Sequence, residues 1–303
     1  MNKIGILFLA LIFLTDTSCE RKFVDFETQI DWQNFYFKSD TFAGVYLDKY
    51  AMIVPVTIEK DTTVYEMQFD TGANMTEFYE NPIRGINSVA SKIDTFNINK
   101  YSVALSLTLD EFESQVNAFP IRKDFGAKNS KHIGTIGSNE FENKILIIDY
   151  PRQKFAILDS LQTRFKKDFE LIDFHNPEGQ IYLKLKINNK SYNFLFDTGS
   201  STTPLLTNMN LYNELTGEIK EDIDTIRAKS WGVDVTAPGA KNMFSIYIGN
   251  SKLKSNMRIY GTDTKHTIEF LKNNNLDGLI SNPYFFEDII LIDFKNKKFG
   301  IRH

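Results

Sequence analysis

Residues 134–157 read GTIGSNEFENKILIIDYPRQKFAI, and residues 278–301 read GLISNPYFFEDIILIDFKNKKFGI. The two align without a gap. Gly134, Ile136, Phe141, Ile145, Ile148, Asp149, Lys154, Phe155 and Ile157 return as Gly278, Ile280, Phe285, Ile289, Ile292, Asp293, Lys298, Phe299 and Ile301. A second echo stands upstream in each half: MQFDTGANMT from Met67 answers FLFDTGSSTT from Phe194. Both echoes come in the same order, so the repeating unit is a whole domain rather than a short motif. The polar stretch from Ser160 to Lys167 separates the copies, which predicts one lobe over 51–160 and a second over 161–303.

Working outward, the pattern inside each copy has period two. Val103, Leu105, Leu107 and Leu109 alternate with Ala104, Ser106 and Thr108, and Ile181, Leu183, Leu185 and Ile187 alternate with Tyr182, Lys184 and Lys186. Such alternation marks half-buried strands. Asn188-Asn189-Lys190 reads as a hairpin turn, and short helices are predicted over Thr267 to Asn273 and just after Ser138. The chain is therefore read as mainly β. Residues 19–50 are polar with scattered aromatics, among them Phe23, Phe26, Trp32, Phe35, Tyr36 and Phe37. They fit a tether or first strand packed on the body, with a pro-segment over a cleft as the other reading.

In each copy an apolar strand runs into Phe-Asp-Thr-Gly, giving Asp70-Thr71-Gly72 and Asp197-Thr198-Gly199. A single such tripeptide says little, because Asp and Gly are common turn residues. Two at matching places in a duplicated β domain say much more, and in this the sequence resembles the pepsin and retropepsin superfamily. The resemblance runs from about Val54 to Ile301. It implies a bilobal, pepsin-like fold of two β-barrel-like lobes about a pseudo-two-fold axis, with Asp70 and Asp197 as the catalytic pair. It also implies that Thr71 and Thr198 interlock through their hydroxyls and brace the two loops. The family's second signature, two apolar residues and a glycine, is Thr135-Ile136-Gly137 in the first copy. In the second copy it is Leu279-Ile280-Ser281, with serine in the glycine's place.

The chemistry explains these residue types. Two carboxyls held close cannot both ionise, so they share a proton. The ionised one takes a proton from water while the other donates toward the carbonyl oxygen of a peptide bond. Gly72 and Gly199 let the backbones approach without a Cβ clash. Ser200 follows the second loop where Ala73 follows the first, and a Ser200 hydroxyl bonded to Asp197 would make Asp197 the base and Asp70 the acid. No metal or other cofactor is expected: His132, His175, His266 and His303 are scattered and form no ligand motif, and they read as surface or structural residues. Asp149 and Asp293 precede turn-like segments and read as structural. Flap candidates are Ser88 to Asn97 and Lys229 to Gly239, in which Trp231 is either a substrate contact or a core aromatic.

The net charge of −4 speaks against a nucleic-acid partner. Lys3 followed by the apolar run Ile4 to Leu14 reads as a secretory signal over 1–18, since a bilayer span needs about 20 residues. Cys19, the single cysteine, follows Thr17 and Ser18 and resembles a bacterial lipoprotein cleavage site, although Asp16 stands where that pattern has an aliphatic residue. This predicts an exported, lipid-anchored monomer in the cell envelope; a plain signal peptide with an incidental cysteine is the other reading. The chain is thus read as an aspartic endopeptidase acting on peptide or protein substrates. The alternative is a catalytically silent, lipid-anchored binding protein on the same fold.

Overall fold

In the computed structural model, Ile181, Leu183, Leu185 and Ile187 are buried while Lys184 and Lys186 between them face solvent. Their hairpin closes through Asn188 and Asn189, whose φ angles of 47° and 60° are left-handed, a conformation Asn tolerates. The structure describes residues 30–302 apart from 43–44, 60, 95–100, 110–111, 115–117, 218–222 and 231–232.

In chain order the first half holds β1 (Gln33–Asn34), β2 (Tyr36–Phe42), β3 (Val45–Ile58), β4 (Tyr65–Phe69), β5 (Glu77–Tyr79), β6 (Ile93–Asp94), β7 (Ser102–Ala104), β8 (Leu107–Leu109), β9 (Phe112–Glu113), β10 (Ala118–Arg122), β11 (His132–Ile136), β12 (Ile145–Asp149) and β13 (Lys154–Leu158). The second holds β14 (Glu170–Asp173), β15 (Tyr182–Ile187), β16 (Lys190–Asp197), β17 (Leu205–Asn208), β18 (Asp224–Ser230), β19 (Val233–Lys241), β20 (Ile246–Ile248), β21 (Ser251–Lys252), β22 (Arg258–Thr262), β23 (Gly278–Ser281), β24 (Ile289–Asp293) and β25 (Lys298–Arg302).

Each half curls into its own sheet, and the strand orders correspond one to one. The first is β6-β7-β10-β5-β11-β4-β3-β8-β9, with β2 added on β3; the second is β18-β19-β22-β17-β23-β16-β15-β20-β21. A third sheet joins the lobes in the order β1-β13-β12-β24-β25-β14. At its centre β12 and β24 pair antiparallel, with Ile145 opposite Asp293 and Asp149 opposite Ile289. The sequence repeat equates Ile145 with Ile289 and Asp149 with Asp293, so exchanging the copies turns one facing pair into the other and the pairing is itself a local two-fold.

Under each lobe's Asp-Thr-Gly strand sits a matching aromatic cluster. Phe69 packs on Phe141 and Phe155 with ring centroids 5.2 and 5.3 Å apart. Phe196 packs on Phe285 and Phe299 at 5.3 and 5.4 Å. All six are fully buried, and burial of each is worth about 1.5–3 kcal/mol.

The expectation for Val103 to Leu109 needs correction. The inward residues are buried as the alternation requires, but the run is two strands, β7 pairing with β10 and β8 with β3. Period two survives where a chain changes partners, so periodicity alone does not report the break. The expected helices form over Lys265–Asn273 and, as a 3₁₀ turn, Ser138–Phe141. Among the described residues no helix is long and apolar enough to cross a membrane.

Candidate active site

Strand β4 delivers Asp70 at its end, and β16 closes on Asp197. In each lobe a later strand then slides between the two that flank the loop. β11 runs parallel to β4 and antiparallel to β5, as β23 does to β16 and β17. This crossing fixes the loops from behind. In lobe one, Gly137 N donates to Thr76 Oγ1 at 3.0 Å and Ser138 N to the Ala73 carbonyl at 2.9 Å. In lobe two, the Asn282 side-chain amide donates to the Thr198 carbonyl at 2.7 Å and to Ser201 at 2.8 Å, and Tyr150 donates to Asn282 at 2.6 Å.

The loops grip one another across the lobes. Thr71 N donates to Thr198 Oγ1 at 2.9 Å and Thr198 N to Thr71 Oγ1 at 3.2 Å. Each hydroxyl then donates onward, Thr71 to the Phe196 carbonyl at 3.1 Å and Thr198 to the Phe69 carbonyl at 2.9 Å. Both threonines are wholly buried. Gln68 and Gln180 add side-chain donors to the Gly199 and Gly72 carbonyls, at 2.8 and 2.5 Å. The glycines are sterically required: a Cβ on Gly72 would lie 2.6 Å from Asp197 Oδ1, and one on Gly199 2.4 Å from Asp70 Cγ.

This brings the two carboxyls to one spot: the same Cβ on Gly72 would lie 2.6 Å from Asp197 Oδ1 and 3.1 Å from Asp70 Oδ1. Burial pushes Asp70 up, opposed by the hydrogen bond to Asp197 and by the amides of Ala73, Gly72 and Gly199. Gly72 N donates to Asp70 Oδ1 at 2.9 Å and Ala73 N at 3.1 Å. Asp197 is pushed well above the usual carboxylate range, first by burial and then by the charge of Asp70. Asp197 likewise accepts from the Gly199 amide at 2.9 Å. The Ser200 hydroxyl, expected on Asp197, bonds Thr203 at 2.9 Å instead.

The pair lies in a cleft of about 510 Å³. Hairpin β2–β3 contributes Lys38, Asp40 and Tyr50 to its lobe-one wall, and hairpin β18–β19 contributes Ile226, Val235 and Ala237 to the other.

Compared by sequence, the chain matches no protein-family model and no curated protein. Compared by structure, it is similar to the crystal structure of an aspartic proteinase from Irpex lacteus. The two share 10% identity and a TM-score of 0.54, over 90% of this chain and 96% of that one. The fold is that of the pepsin-like aspartic proteinases.

On this pepsin-like scaffold the remaining sequence-selected residues take up varied positions. Cys19 and Trp231 lie outside the described residues. Of the two flap candidates, Lys229 to Gly239 falls within the β18–β19 hairpin. Ser88 to Asn97 is a helical turn, Asn87–Ala90, and β6, with its end beyond the described residues. Asp149 and Asp293 cap turns, accepting from Arg152 N at 3.1 Å and Asn296 N at 2.9 Å. Ser281 is buried beside Asp197 on the strand partner, and its hydroxyl has no partner. The glycine at the matching place, Gly137, has no room for a side chain: a Cβ would lie 2.4 Å from the Met75 carbonyl carbon. His132 is a cleft residue edge-on to Tyr79 at 5.4 Å. Among the described residues no group of His, Cys, Asp and Glu is placed to hold a metal.

Sequence reasoning missed Glu77, Tyr79, Arg122 and Thr135, all on the lobe-one wall. The signal was available for one of them. Thr135 aligns with Leu279, so the repeat itself marks it as a polar replacement of an apolar residue.

Proposed function

We propose that this chain is an aspartic endopeptidase hydrolysing peptide bonds with a water activated between Asp70 and Asp197. The observation that carries the reading is the meeting of the two carboxyls at the floor of the cleft, held by reciprocal threonine hydrogen bonds. The ionised carboxyl of the pair takes the proton from water, and the protonated one donates to the carbonyl oxygen as it gains charge. The tetrahedral carbon then collapses as the amine leaves with a proton. Preset positions for both groups remove the orientational cost of a reaction between separate partners. An extended substrate suits a cleft edged by hairpins, because strand edges offer main-chain hydrogen bonds. Cys19 is proposed to carry a lipid that tethers the enzyme to the cell envelope; an unacylated mature N-terminus in mass spectrometry would remove that element alone.

The test is hydrolysis of a peptide library from acidic to neutral pH by wild type, Asp70→Asn and Asp197→Asn, with binding of a statine-type mimic measured in parallel. Wild type is expected to cleave, and each variant to fold and not to cleave. A folded wild type that cleaves nothing and binds no mimic refutes the reading and leaves a silent binding protein.

A further inference from the structure

The sequence repeat allows the two walls of the cleft to be compared position by position. On the lobe-two side, Leu206 and Leu279 face the cleft beside Ile226, Val235 and Ala237. Strand register gives the corresponding lobe-one residues: Glu77 pairs with Thr135 across β5 and β11 as Leu206 pairs with Leu279 across β17 and β23. Tyr79, two residues on, joins Thr135 hydroxyl to hydroxyl at 2.6 Å, and Arg122 of β10 pairs with Tyr79. So one wall is aliphatic, and the matching wall carries a carboxylate, a guanidinium and two hydroxyls.

The charges on that wall are unevenly satisfied. Arg122 lies over the Phe125 ring at 4.2 Å, and Phe125 in turn packs on Tyr79 at 4.6 Å. Lys38 is held by Glu66 at 3.1 Å. Glu77 meets Arg122 through one long contact of 3.3 Å, and its second carboxylate oxygen has no partner among the described residues. Burial raises the Glu77 carboxyl in spite of Arg122, so a further cation would be welcome there. Asp40 adds a second carboxylate at the mouth. Among the described residues, lobe two contributes no charged group to the cleft except Asp197.

On the reading of the cleft as a peptidase site, we infer that the lobe-one pocket binds a lysine or arginine side chain of the substrate on one side of the scissile bond. Glu77 reads its charge, and the lobe-two pocket takes an aliphatic side chain on the other side. The two-fold axis that relates the pockets passes through the catalytic pair, so they receive side chains flanking the same bond. An acidic side chain would face Glu77, Asp40 and the negative charge shared by the pair. An aliphatic one would bury the Glu77 carboxylate against hydrocarbon with an oxygen unpaired, which is costly. A basic side chain fills that vacancy and lays its methylenes along the rings of Tyr79 and Phe125.

The test uses matched peptides, and matched statine-type mimics, that carry Lys, Arg, norleucine or Glu at the positions flanking the scissile bond. For wild type, kcat/KM for Lys over norleucine at one flank is expected to be about 10- to 100-fold, with the same order in mimic Kd. In Glu77→Gln, which keeps the side-chain shape, that ratio should collapse toward unity, and Glu77→Asp should restore part of it. Thermal melts establish that the variants are folded. An unchanged ratio in folded Glu77→Gln, or a wild type indifferent to charge, overturns the inference while leaving the peptidase reading intact. No cleavage and no mimic binding by wild type overturns both.

Discussion

The two lobes share their floors and differ in their walls. Beneath the paired loops, Phe69, Phe141 and Phe155 keep the centroid spacings of Phe196, Phe285 and Phe299, 5.2 and 5.3 Å against 5.3 and 5.4 Å, although Phe141 stacks on Phe69 at 30° where Phe285 meets Phe196 edge-on at 89°. Facing the cleft, Glu77 and Thr135 stand against Leu206 and Leu279. The difference follows from what each position touches. A floor residue is enclosed by its own sheet, so shape decides it. A wall residue faces solvent or a ligand, so one copy can turn polar without loss to the core. The supports behind the loops differ as well. Asn139 accepts from Thr76 in lobe one, whereas Asn282 reaches Thr198 and Ser201 in lobe two and is itself held by Tyr150.

The sharpest way to break the comparison is at the carboxyl pair. Asp70→Asn and Asp197→Asn should each lower kcat by about 10⁴-fold or more, and the double variant should be hardly worse than either, because the residues act as a unit. Additive losses in single-turnover assays would mean that the lobes work independently. The same pair sets the pH profile. The active form holds one proton, and burial raises Asp197. Activity should therefore persist above the ordinary carboxylate range and fall as the shared proton is lost at higher pH; a kcat/KM profile falling already through the range of a free carboxylate would contradict this.

The matched floors predict matched energetics. Phe69→Ala and Phe196→Ala should each destabilise by about 3–5 kcal/mol in denaturant titrations, the cost of emptying a fully buried aromatic site. A large difference between them would show that the lobes are not equivalent scaffolds.

A smaller and asymmetric effect is expected behind the loops. Gly137→Ala meets the Met75 backbone and should cost about 1–3 kcal/mol. Ser281→Ala removes a buried hydroxyl without a partner and should be neutral or stabilising by up to about 1 kcal/mol. Equal destabilisation by both would contradict the packing difference.

The smallest effect concerns acid. Burial raises the Glu80 carboxyl, but Tyr101, the Asp124 amide and Arg84 outweigh it and hold the group down at about 2. Its stabilisation is present above its ordinary value of 4.5 and is lost as pH falls toward 2. Its lobe-two counterpart is Met209, which likewise opens the helix after the corresponding strand and does not titrate. Hydrogen exchange between pH 5 and about pH 2 should show lobe one loosening first, and Glu80→Gln should narrow the difference between the lobes. Uniform loosening would rule out Glu80 as the cause.

What the sequence by itself determined is the duplicated β architecture and the two Asp-Thr-Gly loops, because strand alternation, buried phenylalanines and tight glycine turns are local requirements written in consecutive residues. The tertiary structure alone decided that Val103 to Leu109 divides between two partners and that Ser200 turns to Thr203. It also decided the makeup of the lobe-one wall. Glu77 and Tyr79 come from β5, Arg122 from β10 and Thr135 from β11, and they share a surface because β11 inserts beside β5 while β10 pairs with its other edge. Sheet pairing joins segments that lie far apart in the chain, and hydrogen-bond choice depends on which donors arrive there, so neither is carried by the order of residues within any one segment.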